Sequence, residues 1–290
     1  MKKRRQQKMM SDRLFEGILF IGSLIIMVVF ALLVYELLEK SQVAMKQFGL
    51  SILWTKRWDP VHHMFGALPL FYGTLITSLI GVVLATITGV SLAIVLSQYD
   101  WPWFHRPMLL FVDGLSAIPS VIYGLWGMSV IAFFHVNFSV LAAGLILALM
   151  VLPTIVSNVR RIMMSVPVEL KQGALAIGAT KEEMIHLVVL PFARQGILGS
   201  AILGLTRAFG ETIAIVMVIG NQPHLFLAFF DQGETLTGIL AKEFAAANSP
   251  QYVSSLYEIA VLLCIVTVLA SVGGRFLVAS AKERRGGLSV

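Results

Sequence analysis

Residues 166–196 read VPVELKQGALAIGATKEEMIHLVVLPFARQG, and their turn and capping residues predict two short helices joined by a tight bend. Pro167 suits a first helical position, apolar Val168, Ala174, Leu175 and Ile177 follow, and Gly178 offers a left-handed stop. Thr180 with Glu183 makes a capping box for a second helix, whose apolar side takes Met184, Leu187, Val188 and Leu190 until Pro191 ends it. Two short amphipathic helices, in a place where a flexible tether would suffice, predict a surface built to dock on another body.

Outward from this loop the charges thin out. The 290-residue chain is 57% hydrophobic and only 13% charged, with mean hydropathy +0.84, which excludes a soluble, disordered or collagenous protein. The single Cys264 excludes an intrachain disulfide framework. A helix needs roughly 20 apolar residues to cross a bilayer, and six stretches qualify or nearly do. The first is uncharged over residues 17–35 and the second over 64–99, longer than one crossing requires. The third, about 108–134, carries Asp113 and Pro119; the fourth lies between His135 and Arg160; the fifth, about 196–219, contains Arg207 and Glu211. The sixth has only 16 uncharged residues between Glu258 and Arg275, so its helix must run on into residues 276–279 or its end charges must snorkel.

With six spans both termini share one side. That side holds sixteen of the 22 Lys and Arg residues, against five on the other, and Arg207 lies within a span. The asymmetry places the termini and the loop in the cytoplasm, and the basic excess sets topology without calling for a nucleic-acid partner. The first apolar stretch has no small-residue cleavage site and reads as a retained span rather than a signal peptide. The resulting organisation is a basic cytoplasmic N-terminus (1–13), a first transmembrane helix (14–38) and an extracytoplasmic segment (39–67). A transmembrane domain (68–280, with the cytoplasmic loop at about 158–195) and a cytoplasmic tail (281–290) complete it. Trp54 and Trp58 suggest that the outer segment lies at the membrane interface.

Small residues recur every fourth position in the second span, at Gly73, Thr77, Gly81, Ala85, Gly89 and Ala93. The fifth repeats the device at Gly196, Ser200, Gly204, Ala208 and Thr212, which predicts close helix packing. Pro119 and Pro153 predict kinks in the third and fourth spans.

The spacing in the loop resembles the EAA motif of binding-protein-dependent ABC importer permeases: E-A-A, three residues, G, nine residues, I-x-L-P. Ala174, Gly178, Leu190 and Pro191 match, whereas Gln172 stands for Glu, Gly173 for Ala and Val188 for Ile. The stretches LSAIPSVIYGLWG at 115–127 and LTRAFGETIAIVMVIGN at 205–221 are similar to phosphate permeases of the PstC family rather than to their PstA partners. The resemblance covers about residues 68–277; the first 60 residues match in topology only. It implies an all-α integral membrane protein with six transmembrane helices in the type I ABC importer permease (MetI-like) fold. It further implies a bacterial inner-membrane subunit that pairs with PstA, receives phosphate from a binding protein, PstS, and is driven by a PstB ATPase dimer. Gln172, Gly173, Ala174, Gly178, Ala179, Leu190 and Pro191 would then form the ATPase-coupling contact, and the departure at Gln172 alters one expected contact. The chain itself has no G-x-x-x-x-G-K-[ST] loop, so it is expected to be a non-catalytic subunit without its own cofactor, ATP and Mg being held by the ATPase.

An arginine inside a span is costly and marks a functional candidate. Glu211 follows Arg207 at i,i+4, close enough for an ion pair if the helix continues. A guanidinium suits phosphate because its planar fork can bond two oxygens at once, and a nearby carboxylate would moderate the hold. The alternative is that the pair merely neutralises itself and locks the span against the second permease. Thr206, Thr212 and Asn221 could add hydrogen bonds, or satisfy their own backbone. Asp113 reads as a solvated or capping acid. Two other function classes remain: a permease for another oxyanion of the same family, and an ion-coupled secondary carrier using Glu211 or Asp113, which would have no need of a docking loop. An intramembrane hydrolase has no support, since no H-E-x-x-H occurs and all six His lie outside the spans or at their ends.

Overall fold

The computed structural model describes the backbone of residues 2–286 and the side chains of residues 15–276. The terminal cations at 2–13 and 282–285 that helped to set the topology have side chains outside the described residues. The chain is almost wholly helical. α1 (Lys2–Gln47), α2 (Leu68–Gln98), α5 (Val140–Met164), α8 (Leu190–Phe209) and α11 (Pro250–Gly286) are the long helices. α3 (Pro102–Ala117) and α4 (Ser120–Phe134) form a bent pair, and α6 (Val168–Ala176), α7 (Lys181–Met184), α9 (Ile213–Val216) and α10 (Leu236–Glu243) are short. Among the described residues, five helices are long and apolar enough to cross a membrane, six with the bent pair counted as one span.

The centre of the domain is the α2–α5 pair. Gly73, Thr77, Gly81, Ala85, Gly89 and Ala93 are all buried, as the four-residue repeat predicts. A Cβ on Gly81 would sit 3.0 Å from Leu147, one on Gly89 3.0 Å from Ile155, and one on Gly144 2.5 Å from Ile80. Without Cβ atoms at these points the backbones approach closely, and dispersion contacts replace the hydrophobic drive that lipid does not supply. α8 packs on α5 in the same way, with Gly204 against Val151 and Gly196 against Ile162.

The two prolines behave differently from each other. Pro153 lies buried inside an unbroken α5, whereas the chain bends by 100° between α3 and α4. There Ile118 and Pro119 are both extended, the conformation that a proline imposes on itself and its predecessor. The third span is therefore two helices rather than one kinked helix. Val112 of α3 packs against Leu96 and Val156, towards the C-terminal ends of α2 and α5, and α4 then runs along α9, its Gly124 against Ala214 and Met217.

Two other boundaries, and the place of Trp58, differ from the sequence reading. α1 is one helix of 46 residues that runs well into the expected outer segment, where Ala44 N–H donates to Ser254 Oγ and Ser254 in turn donates to the Lys40 carbonyl. α11 begins earlier than expected, at Pro250, so Glu258 is buried within the helix instead of marking its start. In the outer segment, Trp54 is exposed (74%), as an interfacial residue would be. Trp58 is 4% exposed and lies in an outer cluster with Phe65 and Tyr252; its indole N–H donates to Glu243 at 2.8 Å.

Candidate functional site

The loop at 166–196 has the two-helix form that its caps predict. α6 has no buried residue, and it ends before Gly178, whose φ is +96°. Both halves of the capping box are present, with Glu183 accepting from Thr180 N–H at 2.7 Å and Thr180 Oγ1 accepting from Glu183 N–H at 3.2 Å. Gln172, Gly173 and Gly178 are exposed, and Ala174, Ala179, Leu190 and Pro191 half-buried. Around them Val168, Leu170, Leu175 and Leu187 are exposed too, and Ile177 is 88% exposed. This apolar patch has no partner within the described residues of the chain.

The second helix does not stop at Pro191. It passes through a π-helical turn at Ile185–Val189 and continues as α8, so that residues 181–209 form one helical run. In the wider turn Leu190 N–H bonds to the Ile185 carbonyl, and the register shift accommodates the proline, which lacks an N–H of its own. The loop is thus welded to the fifth span. It is also pinned to α2 and α5: Lys181 Nζ lies 4.2 Å over the Tyr99 ring, and Lys171, whose pKa burial lowers, donates to the Met163 carbonyl at 3.4 Å. Nothing in the spacing of the motif pointed to these two anchors.

Within the membrane, Arg207 and Glu211 do not pair. α8 ends at Phe209; Gly210 and Glu211 N–H groups bond back to the Arg207 and Ala208 carbonyls, and the chain then breaks before α9. The i,i+4 geometry expected of one continuous helix is lost. Among the described residues no carboxylate forms an ion pair with Arg207. Its guanidinium donates instead to Thr154 Oγ1 of α5 at 3.0 Å, and its residue is exposed on a face that this chain leaves open. Thr206 donates to the Ile202 and Leu203 carbonyls, and Thr212 to that of Gly210. Asn221 donates to the Val216 carbonyl. Asp113 is exposed near the end of α3.

An outer collar holds Glu211 in place. Thr237 Oγ1 of α10 donates to the Glu211 carbonyl at 2.9 Å, Leu236 N–H donates to Thr74 Oγ1 at 2.9 Å, and the buried Glu234 carboxylate pairs with Lys242. Burial pushes the Glu234 carboxyl above its usual range, and Lys242 pulls the other way. Gly73 of α2 is pressed against this collar, since a Cβ there would lie 1.9 Å from the Glu234 carbonyl oxygen. Thr154 and Thr237 are the partners that a sequence could not name, being far from Arg207 and Glu211 along the chain. Among the described residues no group of His, Cys, Asp and Glu could hold a metal ion.

Comparison with known proteins fits this architecture. Residues 85–280 match the family of binding-protein-dependent transport system inner membrane components. The chain is 32% identical to the phosphate transport system permease protein PstC of Mesorhizobium japonicum, over 96% of this chain and 93% of that one. It is 33% identical to the PstC of Haemophilus influenzae, with 95% of each covered. Among solved structures, the MetNI methionine ABC transporter in inward-facing conformations superimposes with a TM-score of 0.62 at 18% identity, covering 77% of this chain and 99% of that one. A bacterial alginate ABC transporter gives 0.62 at 12% identity, over 89% and 92%. These two likenesses establish the shared fold. The chain belongs to the binding-protein-dependent ABC importer permeases, in the PstC family.

Proposed function

We propose that this chain is the PstC-type subunit of an ATP-driven inorganic phosphate importer, and that Arg207 is the anion contact midway along its path. The carrying observation is the state of that side chain: no acid among the described residues neutralises it, Thr154 steadies it, and it faces out of the chain's own packing. A cation facing lipid without a counter-ion is unfavourable, so this exposed face has to meet either water or an anion, in a path completed by a second permease. Thr154 takes one N–H of the guanidinium, and the others remain to bond phosphate oxygens. Glu211, displaced by the helix break, lies close enough in sequence to discourage a permanent hold without cancelling the charge. Thr206 and Thr212 already donate to their own backbone, so in this conformation they have no proton to give an anion.

The exposed patch on α6, centred on Ile177 and Gly178, is the surface for a groove of the ATPase; Gln172 offers it a neutral hydrogen-bonding group where the motif has an acid. Because α7 and α8 are one helical run, movement of the loop is transmitted to Arg207 directly. In this scheme PstS delivers phosphate, PstA forms the opposite wall, and PstB binds ATP and Mg. Both termini lie in the cytoplasm, as the charge asymmetry supports. The test is uptake of radiolabelled phosphate by the assembled complex carrying Arg207→Ala or Arg207→Lys. Loss of uptake in the first, with partial retention in the second and normal assembly in both, is expected; normal uptake by Arg207→Ala refutes the assignment.

A further inference from the structure

The groove between α5 and α8 continues below Arg207 towards the cytoplasm. On α5, Thr154, Asn158, Arg161 and Ser165 follow at intervals of four, three and four residues and so share one face. On α8, Gln195, Gly199 and Leu203 are spaced by four, and Arg207 is the next residue in the row. Asn158, Arg161 and Ser165 of the first row and Gln195, Gly199 and Leu203 of the second line an open groove of about 700 Å³; Thr154 and Arg207 stand one turn above its upper end. A water's share of liquid volume is about 30 Å³, so there is room for a tetrahedral anion with part of its hydration shell.

Within this groove we propose a second anion site, centred on Arg161, at which inorganic phosphate pauses before release; the proposal rests on the phosphate reading above. Arg161 is pre-oriented: its Nε donates to the Ser157 carbonyl at 3.2 Å and a terminal nitrogen donates to Asn158 Oδ1. Among the described residues it forms no ion pair with a carboxylate. Orientation by fixed acceptors, without neutralisation, leaves a fork able to take a phosphate oxygen. The positive-inside rule accounts for a cation at this level but does not distinguish Arg161 from its neighbours. Arg160 turns the other way, its Nε directed at the Leu96 carbonyl of α2, and does not line the groove. The site also depends on small side chains: a Cβ on Gly196 would meet Ile162 Cδ1 at 2.4 Å and close the lower end. Thr154 and Arg161 are about 10 Å apart along α5 at 1.5 Å per residue, a distance that allows an anion to pass from one guanidinium to the other.

The test uses the complete importer in proteoliposomes, with ATP inside and labelled phosphate and its binding protein outside. Uptake is measured as unlabelled phosphate inside, on the cytoplasmic face, is raised. Wild-type uptake is expected to fall as the exit site fills. Arg161→Gln should raise the half-inhibiting concentration about tenfold, the effect of losing one charge-assisted contact. Arg160→Gln, with the same loss of charge, should behave as wild type, and Asn158→Ala should shift inhibition in the same direction as Arg161→Gln by a smaller factor. Sulfate inside should inhibit weakly. Equal shifts for Arg160→Gln and Arg161→Gln would reduce the effect to surface charge and overturn the proposal, as would wild-type inhibition in Arg161→Gln. Should Arg161→Gln insert poorly, Asn158→Ala decides alone. Normal uptake in Arg207→Ala would sink the primary reading, whereas normal product inhibition in Arg161→Gln sinks only this one.

Discussion

The docking loop and the collar around Glu211 both depend on a glycine, for opposite reasons. Gly178 has φ +96° and nothing within 4 Å of where its Cβ would be; it is there for its backbone angle. Gly73 has an ordinary helical backbone, but a Cβ would lie 1.9 Å from the Glu234 carbonyl oxygen; it is there for space. The bend and caps of the first region are set by neighbours in sequence, with Lys181 and Lys171 tying it to Tyr99 and Met163, and its α6 face is bare. The second is shaped by residues distant in the chain, such as Thr74 and Leu236, 162 positions apart. The contrast assigns mechanical roles. A region built from local contacts can move as a unit with whatever docks on it, and a region built from long-range contacts serves as the fixed frame against which that movement is felt.

The sharpest way to break the comparison is to substitute both glycines. Gly73→Val drives a branched side chain into backbone that cannot step aside, and overpacking of this kind costs about 3 kcal/mol or more. The expected outcome is loss of the folded subunit, seen as a lower thermal unfolding midpoint in detergent and faster proteolysis of the 210–249 segment. A folded, active Gly73→Val would show that the collar is not rigid. Gly178→Asp should do less to the fold and more to assembly. Its space is open and aspartate tolerates a left-handed backbone better than most residues, so the subunit should insert normally. A charge beside Ile177 on the docking patch should nevertheless cut recovery of the ATPase in co-purification about tenfold or more. Recovery at the wild-type level would mean that this patch is not the coupling surface.

The same division explains what could be read in advance. The capping box, the left-handed stop at Gly178 and the small-residue face of α2 are legible because their causes lie within a few residues or repeat along one helix. The break at Gly210 is not. There Thr237, 26 residues later, donates to the Glu211 carbonyl, a contact that no local pattern announces, and the expected Arg207–Glu211 pair is lost. Trp58 looks interfacial by type but is drawn inward by Glu243, 185 residues away. Pro119 and Pro153 carry the same local signal with different outcomes, because Pro153 is enclosed within α5 and the freed turn at Pro119 is not. Arg207 is legible as a candidate because it is a charge within an apolar span, whereas its hydrogen-bond partner, Thr154, has no signature other than its place in the fold.

The smallest predicted effect bears on the local side of the comparison. Thr180→Ala removes the acceptor for Glu183 N–H, and the loss of an N-cap of this kind costs about 1 kcal/mol. If the loop is a locally specified unit, that cost should stay within it. Amide hydrogen exchange should accelerate about fivefold for residues 180–185, as 1 kcal/mol implies, with α2, α5 and the collar unchanged. Because α7 runs on into α8 through the π-helical turn, phosphate uptake should fall slightly while ATPase binding persists. The partner change Glu183→Gln keeps an acceptor for Thr180 N–H but removes the charge, so its effect should be smaller still. Exchange that instead quickened around Arg207 or Thr237 would show that the frame and the moving part are not separate, and that the capping box supports both.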